Sequence, residues 1–299
     1  MQKGRPSLAA AIFVATLAIA AYSAMDAVMK ALTLDLGVYN AMLWRMLVAS
    51  VIAGAVWLAL RRPMPGPAAR RIHVIRGIMS SLMAILFFWG LARVPLAQGV
   101  ALAFVAPLIA LYLAALVLNE TIQRRAILGS LLGFAGVLVI MFSQAQVDLG
   151  PDAFWGALSI LGSAMFYAWN IVLMRQQALV AKPLEATLFT GLVIAACYLP
   201  FAPFWAALPP TDQYGPILLA ALFGVVALML LSWAYARAEA QYLAPVEYTA
   251  FVWAAIFGAA LFAEPVRPLT FLGAAMIVAG CYVAARRGNA SLPEAMLEV

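Results

Sequence analysis

The sequence predicts an all-α polytopic membrane protein with ten transmembrane helices, arranged as two inverted five-helix repeats. Of its 299 residues, 67% are hydrophobic and only 10% are charged, whereas soluble domains carry roughly 25% charged residues. Apolar segments of about 17–25 residues, the length that spans a bilayer, recur along the whole chain. The second half of the sequence also repeats the first half at a constant spacing. The composition therefore predicts a membrane protein, and the spacing predicts an internal duplication.

Ten apolar segments qualify as membrane spans, and the connections between them are short and rich in proline and glycine. The segments are Leu8–Leu32, Tyr39–Leu60, Val74–Ala92, Leu96–Leu118, Ala126–Phe142, Phe154–Met174, Ala186–Ala206, Ile217–Ala236, Leu243–Phe262 and Leu269–Ala285. The basic start followed by an apolar run also resembles a cleaved signal peptide. Because the run continues past the small residues Ser23 and Ala24, and because it has a repeat partner in the sixth segment, we interpret it as a helix.

The repeat is clearest in the stretch from Trp89 to Gly136, between the end of the third segment and the fifth segment. Five residues recur 144 positions later: Trp89, Arg93, Glu120, Gly129 and Gly136 reappear as Trp233, Arg237, Glu264, Gly273 and Gly280. At the same spacing Asp26 of the first segment aligns with Asn170 of the sixth. Each half holds an odd number of spans, so the second half must enter the membrane upside down, as in many secondary transporters. A duplicated membrane scaffold without a transport role is the alternative.

The predicted repeats cover residues 8–142 and 154–286, with mobile cytoplasmic ends at residues 1–7 and 288–299. In a ten-helix layout most basic residues, Arg70, Arg71 and Arg76 among them, fall on one side of the membrane. His73, the only histidine, falls in a basic connection on that side. The positive-inside rule then places both termini in the cytoplasm. This asymmetry accounts for the net charge of +6 without a nucleic-acid partner.

The repeated segments resemble the drug/metabolite transporter superfamily in its ten-helix EamA type. The resemblance lies in residues 101–107 (ALAFVAP), in Asn119-Glu120 with the glycines that follow, and in their second-half counterparts from Pro245 onward. Residues 26–30 (DAVMK) followed by Trp44-Arg45, and residues 245–250 (PVEYTA) followed by Trp253, are similar to the subgroup that includes bacterial S-adenosylmethionine carriers. The resemblance implies transport of a small organic metabolite across a bacterial inner membrane, and no enzymatic activity.

Four charged residues inside predicted spans are the main candidates for substrate binding or coupling: Asp26, Lys30, Arg45 and Glu247. A charge inside the bilayer is costly unless it is paired or hydrated, so such residues are commonly functional. Asp26 and Lys30 are four residues apart on one helix face and can pair. Together with Arg45 they are expected to share an outward-leaning pocket. The alternative is a structural salt-bridge cluster, although a guanidinium such as that of Arg45 is well suited to bind a carboxylate through two hydrogen bonds.

Glu247 is expected about one turn into the ninth helix, where it would bind the cationic part of a substrate or a coupling proton. The alternative is a structural carboxyl group that hydrogen-bonds Tyr248, Thr249 or a neighbouring helix. Pro245 beside it, and Pro107 in the fourth helix, predict gating bends, because proline removes a backbone donor. Bent or interrupted helices around a central cavity recur in transporters.

Polar and aromatic residues complete the candidate site: Trp44, Trp89, Phe104, Trp169, Asn170, Trp233, Tyr248 and Trp253. Aromatic rings can stack on planar or cationic ligands, but they also form interfacial belts and fill helix bundles. The repeated glycines predict faces of close helix packing, either within one chain or in a homodimer.

Several kinds of chemistry lack a signature in the sequence. No His/Cys cluster has metal-ligand spacing, and no phosphate-binding loop or dinucleotide motif is present, so we expect no metal, no cofactor and no ATP-driven pumping. Transport would then depend on the substrate gradient, an exchange substrate or protons. We therefore predict a carrier for a small charged or zwitterionic metabolite, such as an amino acid or an S-adenosylmethionine-like compound. The alternatives are a passive channel and, with less support, a membrane-embedded enzyme.

Overall fold

The computed structural model describes residues 8–118, 122–144, 152–263 and 268–285, and these ranges are helical with no strand. The helices are α1 Leu8–Ala59, α2 Pro67–Leu91, α3 Leu96–Ala103, α4 Val105–Leu118, α5 Arg124–Gln144, α6 Ala153–Val180, α7 Pro183–Tyr198, α8 Ala202–Trp205, α9 Tyr214–Tyr235, α10 Ala240–Glu247, α11 Thr249–Phe262 and α12 Pro268–Ala285. Within the described ranges, six helical stretches are long and apolar enough to cross a membrane. Large apolar side chains such as Val51 and Phe154 are exposed around them, as lipid contact requires. The chain is a multi-pass membrane protein.

Helix α1 is two membrane-length arms joined at Gly37. Its 52 residues would extend roughly 78 Å as one straight helix, far more than the roughly 30 Å hydrocarbon core. Gly37 interrupts the helix with φ 75° and ψ 156°, a conformation that is open essentially to glycine alone. A Cβ atom at this position would meet nothing within 4 Å. Glycine is therefore needed at residue 37 for its backbone conformation and not for close packing.

Two further interruptions occur at residues that are repeat partners. Phe104 separates α3 from α4, and Tyr248, which lies 144 positions later, separates α10 from α11. The two rings pack edge to face with centroids 5.2 Å apart. Pro107 accounts for the first break, because its ring would collide with the carbonyl of residue 103, where α3 ends. Pro245 lies inside α10, three residues before the second break, so the break follows the repeat position and not the proline.

Repeat partners also make matching local contacts. The Arg93 guanidinium lies 3.5 Å from the Trp89 ring centroid, and that of Arg237 lies 4.0 Å from the Trp233 ring centroid. Each arginine also donates a hydrogen bond to the carbonyl of its own tryptophan, at 2.8 Å and 3.1 Å respectively. The two pairs therefore form equivalent cation–π caps at helix C-terminal ends.

Glycines bring helices of the two halves into close contact. On the α5–α12 pair, a Cβ at Gly136 would lie 2.6 Å from the Gly273 carbonyl oxygen, and one at Gly280 would lie 2.5 Å from that of Gly129. On the α2–α6 pair, a Cβ at Gly90 would lie 2.5 Å from the carbonyl oxygen of residue 156. These repeated glycines therefore pack helices within one chain, which was one of the two roles predicted for them.

The start of α2 differs from the sequence-based expectation. The helix begins at Pro67, seven residues before the predicted span, because proline is well suited to a first helical position. His73 and Arg76 therefore lie on a helix and are 1% and 4% exposed, and not in a solvated basic connection. The predicted cytoplasmic ends and the repeat partners Glu120 and Glu264 lie outside the described residues.

Candidate functional site

A cavity of about 210 Å³ lies in the middle of the helix bundle and is lined by residues from both halves of the sequence. Its wall combines apolar side chains with a small number of polar and charged ones. The polar groups on which its chemistry depends are Tyr22, Asp26, Arg45, Arg76, Asn170 and Glu247. A mostly apolar cavity with a few convergent polar groups is the usual form of a small-molecule site.

Arg45 is a buried cation whose hydrogen-bonding capacity is largely unused. Its side chain is 6% exposed, and its terminal nitrogens face the sulfur atoms of Met25 and Met42 at 3.0 Å and 3.8 Å. Thioether sulfur is a weak acceptor, and the Nε atom is buried without a partner. Gly224 makes room for the guanidinium, because a Cβ atom at residue 224 would lie 3.2 Å from Arg45 Nη1. The cavity wall therefore holds a guanidinium whose donors have only weak acceptors within the described part of the chain.

Asp26 is the anionic counterpart on the same cavity wall. Arg45 acts on it electrostatically, but the two groups do not form an ion pair, and no hydrogen bond reaches the Asp26 carboxylate within the described ranges. Lys30, which was expected to pair with Asp26, points elsewhere: its ammonium donates to the Val94 carbonyl at 3.0 Å and lies 5.0 Å from the centroid of the Phe262 ring. The expected cluster is therefore reduced to Asp26 and Arg45, because the Lys30 side chain turns towards the α2–α3 connection.

Glu247 occupies the last position of α10, directly before the break at Tyr248. The Tyr167 hydroxyl of α6 donates to its Oε2 atom at 2.5 Å, and the Tyr235 hydroxyl of α9 donates to its Oε1 atom at 3.3 Å. The residue is 2% exposed. These two donors from neighbouring helices compensate part of the cost of burying the carboxylate, and they fix its position in the cavity wall.

Arg76 is a second cation in the cavity wall, and it was not among the candidates predicted from the sequence. It lies nine residues, or roughly 14 Å, into α2. Its Nε atom donates to Asn170 Oδ1 at 2.9 Å, while its terminal nitrogens contact Gln177 Oε1 and the Met174 sulfur. In contrast to Arg45, Arg76 is thus held by neutral acceptors on α6.

The placement of Arg76 on a spanning helix brings the number of charged residues in the cavity wall to four. Tyr22, which also lines the cavity, lies within electrostatic range of all four. Two cations and two carboxylates in one wall make the cavity formally neutral when all four are ionised. Such a wall can compensate both charges of a ligand that carries both signs.

Two long stretches of this chain match a known protein family. The EamA-like transporter family matches residues 9–142 and residues 154–286, which together are most of the chain. The chain belongs to the EamA-like transporter family. This assignment agrees with the resemblance to the drug/metabolite transporter superfamily and with the apolar helices of the structure.

Named relatives of this EamA-like protein are bacterial transporters. It is 27% identical over 288 residues to the pseudopaline exporter of Pseudomonas aeruginosa, covering 93% of this chain and 97% of the relative. It is 26% identical over 207 residues to an S-adenosylmethionine uptake transporter of Rickettsia prowazekii, covering 69% of each protein. A match to an uncharacterised transporter of Helicobacter pylori, at 27% identity, spans 61% of this chain and 62% of that protein.

A solved crystal structure shares the fold of this EamA-like protein. It matches 92% of this chain and 97% of its own chain with a TM-score of 0.73, at 19% sequence identity. At that level of identity the likeness concerns the arrangement of helices and not the function.

Most of the aromatic candidates lie outside the cavity wall of this EamA-like transporter. Phe104 lines the cavity, whereas Tyr248 is fully buried and would be 2.6 Å from a Cβ at Gly133. Trp169 is 41% exposed on the outer surface of α6. The remaining tryptophans have other contacts: Trp89 and Trp233 lie beneath arginines, Trp44 donates to the Ala207 carbonyl, and Trp253 packs on an apolar cluster. The two proline candidates, Pro107 and Pro245, are likewise not part of the wall.

Polar residues that the sequence analysis missed complete the wall. Tyr22, Tyr167 and Ser80 were not among the candidates, although all three line the cavity and Ser80 accepts a hydrogen bond from Asn170. Arg76 carried a signal that could have identified it, since it lies inside the predicted span Val74–Ala92 and has the apolar repeat partner Ala220. Within the described ranges, no cluster of three or more His, Cys, Asp or Glu residues has the arrangement of a metal site.

Proposed function

We propose that this chain is a secondary transporter that moves a small zwitterionic or charged organic metabolite across the bacterial inner membrane by alternating access. Its two halves form an inverted pair of five-span repeats, both termini lie in the cytoplasm, and the substrate binds in the central cavity. A proton or an exchanged metabolite provides the driving force.

The observation that carries the proposal is the pair of uncompensated charges in the cavity wall. Arg45 is buried with only thioether neighbours and an unpartnered Nε atom, and Asp26 faces the same cavity without an ion pair. Leaving isolated charges in a low-dielectric interior is costly, so their retention indicates a ligand that supplies the missing partners. A carboxylate on Arg45 and an ammonium near Asp26 would satisfy both. The cavity volume of about 210 Å³ suits a compound of amino-acid size.

The inverted ten-helix arrangement is supported by the interruptions in the long helices. Gly37 divides α1 into two arms of membrane length, and the breaks at Phe104 and Tyr248 divide two further spans at repeat-related positions. The proposal counts the two arms of α1 as separate spans, and it counts α3 with α4 and α10 with α11 as one interrupted span each, which assigns five spans to each half of the sequence. Interrupted helices beside a central cavity are typical of carriers built from inverted repeats.

The names of two relatives support a metabolite of this chemical kind. One relative is named for S-adenosylmethionine uptake and another for pseudopaline export. S-adenosylmethionine carries an amino-acid head group together with a further positive charge. The same combination of charges fits a cavity that is lined by Arg45, Asp26 and Glu247.

Counterflow in proteoliposomes tests the proposal directly. Purified protein is first screened against a metabolite panel for thermal stabilisation, and the best compound is then loaded inside vesicles. A carrier should accumulate external labelled compound transiently against its gradient. A passive channel would give rapid flux without counterflow, an enzyme would release an altered product, and either result would overturn the proposal.

Glu247→Gln tests the role of the second carboxylate. The substitution keeps the side-chain shape and lets the amide oxygen accept one tyrosine hydrogen bond, but it removes the titratable charge. We expect counterflow to fall at least roughly tenfold, since a charge-assisted contact to a bound cation contributes at least that factor. Its pH dependence should weaken as well. Wild-type rates across pH in a normally inserted variant would assign Glu247 a structural role instead.

A further inference from the structure

A continuous polar network runs from the cavity wall to the start of α7. Arg76 donates from Nη1 to Gln177 Oε1. Gln177 Nε2 donates to Thr190 Oγ1 at 2.9 Å and lies 2.7 Å from His73 Nδ1. His73 Nε2 in turn lies 3.2 Å from Glu185 Oε1, whose side chain is 16% exposed. All the other members of the network are buried. The chain of contacts therefore links the cavity with a partly exposed carboxylate near the start of α7.

The order of donors and acceptors in this network permits one protonation state of His73. A guanidinium only donates, so Gln177 must present its oxygen to Arg76 and its NH2 group to His73. An amide NH2 group only donates, so His73 Nδ1 must be unprotonated and must accept. The proton of neutral His73 then lies on Nε2 and is donated to Glu185. Arg76 thus fixes the tautomer of His73 through Gln177.

A second proton on His73 is incompatible with this arrangement. It would bind at Nδ1 and set an N–H group against the NH2 group of Gln177. Rotating the amide does not help, because the NH2 group would then face the Arg76 guanidinium. The charged groups that act on His73 are Glu185 on α7 and Arg76 on its own helix, while α6 presents the neutral Gln177 and α7 stacks Phe189 on the ring. Protonation must therefore break the contact between His73 and Gln177.

The network also crosses from one half of the sequence to the other. His73 and Arg76 lie on α2, whereas Gln177 lies on α6 and Glu185 and Thr190 lie on α7. Other α2–α6 contacts, such as the 2.8 Å hydrogen bond from Ser159 Oγ to the Leu86 carbonyl, involve no titratable group. The end of the helix pair near Glu185 is thus the one that a proton can release.

We propose that this network is a proton-operated latch, which closes the cavity at the Glu185 end while His73 is neutral and opens it when His73 Nδ1 binds a proton. The inference rests on the proposed function, because a latch has a purpose only in a protein whose cavity opens and closes. It assigns the proton a binding site separate from Glu247.

Cysteine accessibility tests the latch without any knowledge of the substrate. Thr187 lines the cavity near this end and hydrogen-bonds only the Pro183 carbonyl, so Thr187→Cys is a suitable reporter in a full-length chain whose Cys197 and Cys281 are replaced by alanine. The purified protein reacts with a water-soluble maleimide from pH 8 to pH 5, and each rate is divided by that of the detergent-unfolded chain at the same pH. We expect the normalised rate to rise roughly tenfold from pH 8 to pH 5, because one hydrogen bond to a charged group shifts an equilibrium by about that factor.

Substitutions within the network make opposite predictions. Gln177→Leu removes the central link and should give fast labelling at every pH. Gln177→Glu supplies a carboxylate that accepts from both Arg76 and protonated His73, so labelling should stay slow at low pH. This variant keeps the proposal falsifiable even if Gln177→Leu does not purify as a monodisperse protein. His73→Asn should give labelling that does not respond to pH.

A matched control distinguishes the latch from general loosening of the helix pair. Ser159→Ala removes an α2–α6 hydrogen bond outside the network and should leave the pH response unchanged. A normalised rate that does not change with pH in the reporter chain, or low-pH opening in Gln177→Glu, would overturn the latch. If either result is obtained while counterflow is intact, only the latch is wrong and the transport proposal is unaffected. A normal latch response without counterflow for any metabolite would instead count against transport.

Discussion

For Arg45, a structural role and a substrate-binding role lead to opposite predictions. Replacing a buried, uncompensated cation with an apolar side chain of similar length removes a desolvation cost. Arg45→Met would place a thioether beside Met25 and Met42, in a cluster that is already apolar. We expect the thermal midpoint of the purified variant to stay level or rise, while the counterflow rate falls roughly 30-fold or more, because a lost buried charge contact costs at least that factor.

Arg45→Met has two matched controls. One is the same substitution at another arginine, and the other is a more conservative substitution at residue 45. Arg62→Met alters an exposed arginine after α1 and should affect neither stability nor counterflow. Arg45→Lys keeps the charge but loses the planar pair of donors, so it should retain more activity than Arg45→Met. If Arg45→Met melts earlier and transports normally, Arg45 is a structural residue.

Charged residues in apolar segments were a good guide to the cavity, for a physical reason. Asp26, Arg45 and Glu247 stand out in sequence because the bilayer makes isolated charges costly, and the structure finds all three in one cavity wall. Lys30 carries the same signal but turns to the Val94 carbonyl, since a long flexible side chain can reach distant partners. Arg76 was missed because its neighbours Arg70 and Arg71 make the start of α2 resemble a solvated loop.

Among the helices, the glycine contacts between α5 and α12 give a stability prediction. Gly136→Ala and Gly280→Ala would each push a methyl group to within 2.6 Å of a backbone carbonyl oxygen on the facing helix. A backbone atom cannot move aside as a side-chain end can, so the helices must separate. We expect a loss of about 1–3 kcal/mol for each variant, the usual cost of overpacking. Thermal unfolding in mild detergent measures it.

Gly215→Ala is the control for these substitutions, because a Cβ at this position of α9 would meet nothing within 4 Å. It should be neutral or slightly stabilising, since alanine favours a helix over glycine by up to about 1 kcal/mol. If the thermal midpoints of Gly136→Ala and Gly280→Ala equal that of the unchanged protein, the α5–α12 contact is looser than its geometry indicates.

The presence and order of the helices were predictable from sequence, whereas the places where they bend were not. Apolar length identifies a span because the bilayer fixes the length that must be apolar. A bend depends on individual backbone contacts. Proline drew attention to residues 107 and 245, but the breaks lie at Phe104 and Tyr248, which are repeat partners with packed rings. Pro107 thus indicated the correct helix and accounts for the break at Phe104, whereas the break at Tyr248 coincides with the repeat partner of Phe104 and not with Pro245.

On the scale of the whole molecule, the two halves of the sequence are packed into one another. Each of three helix pairs takes one member from each half: α1 with α9, α2 with α6, and α5 with α12. The close-packed glycine contacts lie on two of these pairs, and the contacts of Gln177 with Arg76 and His73 lie on the α2–α6 pair. Neither half alone can bury these glycine faces or satisfy these polar groups. The cavity exists only when both halves are present.

Because helices of the two halves pack against each other, we expect the halves to function when they are produced together as two polypeptides, but not when either half is produced alone. Residues 1–148 and 149–299, produced together as two polypeptides, should assemble in the membrane, co-purify through a tag on one of them and restore counterflow, because the contacts between halves do not depend on the connection. Either half alone should fail to purify as a monodisperse protein.

Gly156→Ala in the second polypeptide, which places a methyl group 2.9 Å from Arg93 Cβ and 3.1 Å from the Gly90 carbonyl oxygen, should reduce co-purification. Gly162→Ala on the same helix meets only Leu86 Cδ1 at 3.9 Å and should not. Stable, separately folded halves would mean that each five-helix repeat is an independent domain, and the shared cavity would then have to form by docking of two finished units.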